Sequence, residues 1–167
     1  MGKLIDLTLK EIFDFKLMQS DPNFANYRYD PQTGDIVLLD FGATRELSDG
    51  LSGSYRAFLK FGMAGEYDRL EEAAVSIGFL DDTISPDHRR QCLDLMRIAF
   101  EALRVEVFDF TDTELTQQIQ RGGEALARDG FIPPVVPMDV LYLQRKFGGM
   151  FLLGARLRAK LPVLMSH

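Results

Sequence analysis

The chain has one cysteine, Cys92, two histidines and no tryptophan in 167 residues. One cysteine excludes an internal disulfide and any Cys-x-x-Cys metal site, and Cys92, inside a helical pattern, reads as a small core residue. His88 and His167 stand far apart and in no ligand motif, so both read as surface residues. Basic charge is not in excess: 19 Lys and Arg against 25 Asp and Glu give a net charge of -6. Nucleic-acid binding needs a basic face to neutralise phosphates, so nucleic acid is set aside as a partner. No stretch reaches the roughly 20 apolar residues of a membrane span. No charged segment followed by an apolar run and a small-residue cleavage site is present, so no signal peptide is read. Met1-Gly2 begins like a myristoylation signal, but Asp6 stands where that motif wants Ser or Thr. The expected location is therefore cytoplasmic or peripheral to a membrane.

What is present fits one soluble domain over residues 1–167, since 46% hydrophobic content in a chain of this length can bury a sizeable core. Leu4, Ile5, Leu7, Leu9, Ile12, Phe13, Phe15, Leu17 and Met18 form a dense apolar pattern, which predicts one central helix over about 3–18. A loop follows at 19–26. Two short strands, Tyr27–Tyr29 and Ile36–Leu39, flank the turn Asp30-Pro31-Gln32-Thr33-Gly34-Asp35. The rest, 47–167, reads as helical. Helices are expected over Leu47–Met63, over Glu66–Ile77 with Gly78 at its end, and from Pro86 after the cap Ser85 to about Val107. Two more are expected, from a cap at Asp112 or Thr113 to Arg128, and from Met138 to Ala159 ahead of Pro162. The architecture is mostly α with one small β-hairpin. Thirteen Phe residues could build a ligand cage, but core packing is the commoner use of each.

Asp40-Phe41-Gly42 closes the second strand fourteen residues after Asn26, and Asn26 stands five after Asp21. Asp-x-x-x-x-Asn followed by Asp-Phe-Gly is the spacing of the metal and catalytic half of a protein-kinase-like phosphoryl-transfer site. The chemistry explains the residue types. A transferring phosphoryl group is negative, Mg²⁺ neutralises it, and Mg²⁺ takes oxygen ligands. Asn26 offers an amide oxygen and Asp40 a carboxylate. Asp21 accepts a proton from an attacking hydroxyl or holds it in line. Gly42 lets the chain turn where a side chain would obstruct, and Phe41 packs beneath. Each piece alone is weak: Asp-Pro-Asn and Asp-x-Gly are also ordinary turn chemistry.

Met18-Gln19-Ser20-Asp21-Pro22-Asn23-Phe24-Ala25-Asn26 and Val37-Leu38-Leu39-Asp40-Phe41-Gly42-Ala43-Thr44-Arg45-Glu46 resemble the UbiB-type (aarF-domain) atypical kinase-like family. Within it the likeness is to the coenzyme Q biosynthesis kinase-like ATPases. Pro133-Pro134 and Arg145-Lys146-Phe147-Gly148-Gly149-Met150-Phe151-Leu152 resemble that family's C-terminal helix. The resemblance implies that Asp21 is the catalytic-loop aspartate and that Asn26 and Asp40 are the Mg²⁺ ligands. Arg45 and Glu46 follow the pattern and read as a structural ion pair or loop anchor. Gln19-Ser20 replaces the His-Arg of ordinary protein kinases, no Ala-Pro-Glu follows, and neither Gly-x-Gly-x-x-Gly nor Val-Ala-Ile-Lys occurs. The resemblance therefore implies a kinase-like C-lobe without the N-lobe. ATP and Mg²⁺ are its cofactors in the complete enzyme, and ATP binding by this chain alone is weak or absent.

The expected function is Mg-ATP phosphoryl transfer or ATPase chemistry linked to ubiquinone biosynthesis. The expected partners are a missing or separately encoded N-lobe, other quinone-biosynthesis proteins or a lipid-like ligand. Apolar surface around Phe13, Leu17, Phe24 and Leu38 is expected to lie open and promote association. Two rival readings stay open: a non-catalytic module that binds partner proteins or a lipid-like ligand, and a small-molecule kinase like the aminoglycoside phosphotransferases. The latter normally have His before the catalytic Asp, where Ser20 stands here.

Overall fold

A computed structural model describes residues 1–21, 24–40 and 42–162, with the side chain of Phe24 left aside. The expectation for Phe41 and the surface position of His167 lie outside the described residues. Helix α1 spans Gly2–Lys10 and passes into a π-helical turn, Glu11–Phe15. Lys16 then adopts a left-handed conformation, φ 51°. That residue ends the helix, and Leu17–Gln19 become strand β1. The single helix expected over 3–18 is thus corrected. Apolar residues at 15, 17 and 18 suit either period, and the partner that makes 17–19 a strand is distant. That partner is β4, Thr44–Glu46, antiparallel, with Leu17 opposite Glu46 and Gln19 opposite Thr44. The segment is also not central on all sides: Ile12 and Met18 are fully buried, while Phe15 and Leu17 are exposed.

The expected hairpin is present. Strands β2, Tyr27–Tyr29, and β3, Ile36–Leu38, pair antiparallel with Tyr27 opposite Leu38. Gly34 turns between them at φ 72°, which a side chain would oppose. Helices α2, Asp49–Ala64, and α3, Tyr67–Ile77, follow. Ser48 caps α2 by accepting from the Leu51 N–H, and Ser85 caps α4, Pro86–Leu103, from the His88 N–H. Helices α5, Glu114–Arg128, and α6, Met138–Arg156, complete a mostly α chain with six α-helices among the described residues. A third strand pair was not expected: β5, Val107–Asp109, with β6, Lys160–Pro162. Three-residue strands joined across fifty residues leave no local periodicity to read.

The core gathers Ile12, Met18, Leu47, Tyr55, Ile77, Val140 and Leu143. The aromatics fill it, as expected for Phe. Tyr55 stacks on Phe147 at 6.3 Å, and Phe58 meets Phe79 and Phe100 edge-on. Cys92 is half-buried, and burial pushes its thiol pKa up, which suits an inert residue. His88 is not a free surface residue. Its Nε2 lies 2.9 Å from the Asp129 carboxylate and its ring meets Phe131. These packed helices, α6 above all, form the floor on which β1 and its loop rest.

Candidate active site

Asp21 and Asn26 sit where β1 ends and the β2–β3 hairpin opens. Asn26 closes a short 3₁₀ turn and enters β2. Its carbonyl accepts from the Leu39 N–H at 2.8 Å, one residue before Asp40. The hairpin register therefore carries Asn26 and Asp40 to the same open end. Asn26 Nδ2 donates to Asp21 Oδ2 at 2.9 Å. This bond fixes the amide orientation and leaves Asn26 Oδ1 outside the hydrogen bonds among the described residues. Asp40 Oδ1 accepts from the Gly42 N–H at 2.7 Å. A Cβ on Gly42 would come to 3.0 Å from that oxygen, a tight approach that the Asp40 side chain would have to ease, and the backbone there is not left-handed.

Asp21 and Asn26 are thus in direct contact, while Asn26 and Asp40 share no bond among the described residues. No group of three or more His, Cys, Asp or Glu side chains gathers to hold a metal ion among them. An amide oxygen with one carboxylate is nevertheless the donor chemistry that Mg²⁺ accepts, since it keeps water and phosphate as its other ligands. The donor set fits.

Beneath these residues lies a buried network that motif reading missed. Gln19 is 2% exposed. Its Nε2 donates to the Asp40 carbonyl at 2.5 Å, and its Oε1 accepts from the Asp21 N–H at 3.3 Å. Its own N–H donates to Glu11 Oε1 at 3.4 Å, and its carbonyl accepts from Lys146 Nζ at 3.1 Å. Lys146, on α6, also pairs with Glu11 Oε2, and both side chains are buried. Burial lowers the Lys146 pKa, and the Glu11 carboxylate offsets part of that shift. Removing one partner of such a pair strands a buried charge, at about 3–5 kcal/mol. Tyr27, the first residue of β2, feels the charges of this network. Burial, then the Glu11 and Asp21 charges, push its phenol up to about 12.

The far side of the loop is tied as well. The Ser20 N–H and hydroxyl both donate to the Ala43 carbonyl, at 2.7 and 2.6 Å. Arg45 pairs with Asp139 of α6 at 2.8 Å and lies over the Tyr142 ring at 4.7 Å. It ties β4 to α6 as an ion-paired loop anchor, as its place in the sequence pattern suggests. Glu46 is exposed on β4.

A mostly α chain with an Asp–Asn pair and an Asp-x-Gly turn at one hairpin end is consistent with a kinase-like fragment. Residues 1–74 match the ABC1 atypical kinase-like domain, and the chain belongs to this UbiB-type family. Among curated proteins it is similar to the mitochondrial atypical kinase COQ8 of Saccharomyces cerevisiae, 34% identical over 93% of the chain and 31% of the relative. It is 32% identical to the mitochondrial atypical kinase COQ8B of Rattus norvegicus, over 94% of the chain and 30% of that protein. For the mitochondrial atypical kinase coq-8 of Caenorhabditis elegans the values are 32%, 95% and 21%. The chain spans about a third or less of these relatives' length. No helix among the described residues is long and apolar enough to cross a membrane.

Proposed function

We propose that residues 19–46 carry the cation-binding and proton-accepting half of an ATP-dependent phosphoryl-transfer or ATPase site, in an enzyme linked to ubiquinone biosynthesis. The observation that supports this most is the hydrogen bond from Asn26 to Asp21, which leaves the Asn26 amide oxygen as a hard ligand at the hairpin end. Asp40 supplies the carboxylate, one oxygen of which the Gly42 N–H holds. Bound Mg²⁺ supplies charge neutralisation for a transferring phosphoryl group. Asp21 accepts the proton of the attacking hydroxyl or holds that hydroxyl in line. The names of the relatives, mitochondrial atypical kinases, agree with this role. The 167 residues alone are expected to bind ATP weakly, with a dissociation constant on the order of 1 mM.

Mn²⁺ binding followed by electron paramagnetic resonance tests the reading. Asp40→Asn is expected to weaken Mn²⁺ by about tenfold or more, equivalent to roughly 1.4 kcal/mol. Unchanged affinity in that variant would remove the metal role. A second reading, a module that takes a lipid-like ligand, is favoured by one observation. A cleft of about 410 Å³ opens along the hairpin, between strand β2 with Ile36 on one side and Met1, Leu4, Leu153 and Leu157 on the other. Displacement of a hydrophobic dye by a ubiquinone-type quinone is the measurement that supports it.

A further inference from the structure

We propose that Gln19 is the positioning residue that sets the two catalytic carboxylates against each other, and that the buried Glu11–Lys146 pair holds Gln19 in place from α6. The inference rests on the reading of Asp21 and Asp40 given above. Gln19 uses every polar group it has. The side-chain amide spans the gap between two loops twenty residues apart, donating to the Asp40 carbonyl and accepting from the Asp21 N–H. The backbone groups are held from below by Glu11 and Lys146. A side chain that is 2% exposed and bonded at both ends of its amide has one rotamer open to it.

The consequence is geometric. Asp21 follows Gln19 by two residues, and Asp40 is reached through its own carbonyl, so the bond fixes backbone at both carboxylates rather than the carboxylates themselves. An error of about 1 Å at such a site costs on the order of a hundredfold in rate. Lys146 stands 127 residues from Gln19 along the chain. Its bond makes the C-terminal helix part of the support for the catalytic loop, without touching any reacting group.

Gln19→Met keeps the volume and removes both side-chain bonds. Amide hydrogen exchange by nuclear magnetic resonance reads the result without metal or nucleotide. The Ser20 N–H, which bonds the Ala43 carbonyl across the junction, and the Gly42 N–H, which bonds the Asp40 carboxylate within its own turn, are expected to exchange at least tenfold faster in the variant. Amides inside α3, from Leu70 to Ile77, are expected to stay unchanged, which separates local loosening from general destabilisation. Mn²⁺ affinity should fall with the loosening. If Gln19→Met does not fold, the double variant Glu11→Gln with Lys146→Met removes the buried charges together and is expected to loosen the same two amides. Ser20 and Gly42 exchanging at the original rate, or no faster than α3, would overturn the positioning role. Its failure is distinct from that of the metal reading. Loss of Mn²⁺ in Asp40→Asn with Ser20 and Gly42 protection intact in Gln19→Met sinks only the clamp. Faster exchange in Gln19→Met with Mn²⁺ binding untouched in Asp40→Asn sinks only the metal site.

Discussion

Tyr55 sits among Phe58, Phe79 and Phe147, and burial drives its phenol pKa well above the ordinary 10.0. Tyr27 is pushed up to about 12. A phenol whose folded pKa is raised adds stability that is complete below the unfolded value and is lost as pH climbs through the folded one. Stability is therefore expected to fall from pH 10 upward, where the unfolded phenols ionise first. Urea midpoints at pH 9 and pH 11 check this. The wild type should lose more than Tyr55→Phe, and equal losses would contradict the burial account. The sequence singles out Asp21, Asn26 and Asp40 at this scale because hard-cation chemistry calls for those residue types at a fixed spacing. The motif gives Gln19 no role of its own, and nothing local marks Glu11 or Lys146 as its supports. Their bonds run over 8, 127 and 135 residues, and a lone Glu or Lys in a helix reads as a solvated side chain.

The helices illustrate what local chemistry carries. Ser48 and Ser85 caps, Pro86 at a first turn and Gly78 in a left-handed conformation of φ 100° all put helix ends within a few residues of where the sequence predicts them. Strands β1, β4, β5 and β6 carry no such punctuation, since each is three residues long and waits on a distant partner. Close helix packing was equally unreadable. A Cβ on Gly154 of α6 would overlap the ring of Phe110, which packs against Phe108 at 5.0 Å and Phe151 at 5.4 Å. Gly154→Ala is expected to destabilise the chain by about 1–3 kcal/mol. Gly123 of α5 faces open space, so Gly123→Ala should stabilise by roughly 0.5–1 kcal/mol. Denaturant unfolding of the two variants distinguishes them, and a matching response would contradict the packing described for β5 and α6.

Across the whole molecule, the apolar surface around the hairpin is the feature that bears on partners. Of the four residues expected there, Leu17 is exposed, Phe13 and Leu38 are half-buried, and the side chain of Phe24 is outside the described residues. Phe13 is packed on the core and covered by the Arg56 guanidinium at 4.7 Å. Phe15, Tyr29, Val37 and Leu39 are exposed instead. Exposed apolar side chains favour association where they adjoin, and light scattering across a concentration series is expected to show mass rising with concentration. A monomer throughout would mean that this surface is tolerated by water. The central claim is that Asp40 and Asn26 share one cation at the hairpin end, with Asp21 beside it. Crystals grown with Mn²⁺ and examined by anomalous diffraction test it most directly. The expected peak lies about 2.1–2.2 Å from a carboxylate oxygen of Asp40 and from Asn26 Oδ1. A peak elsewhere, with these two oxygens bonded to protein or water alone, would contradict it.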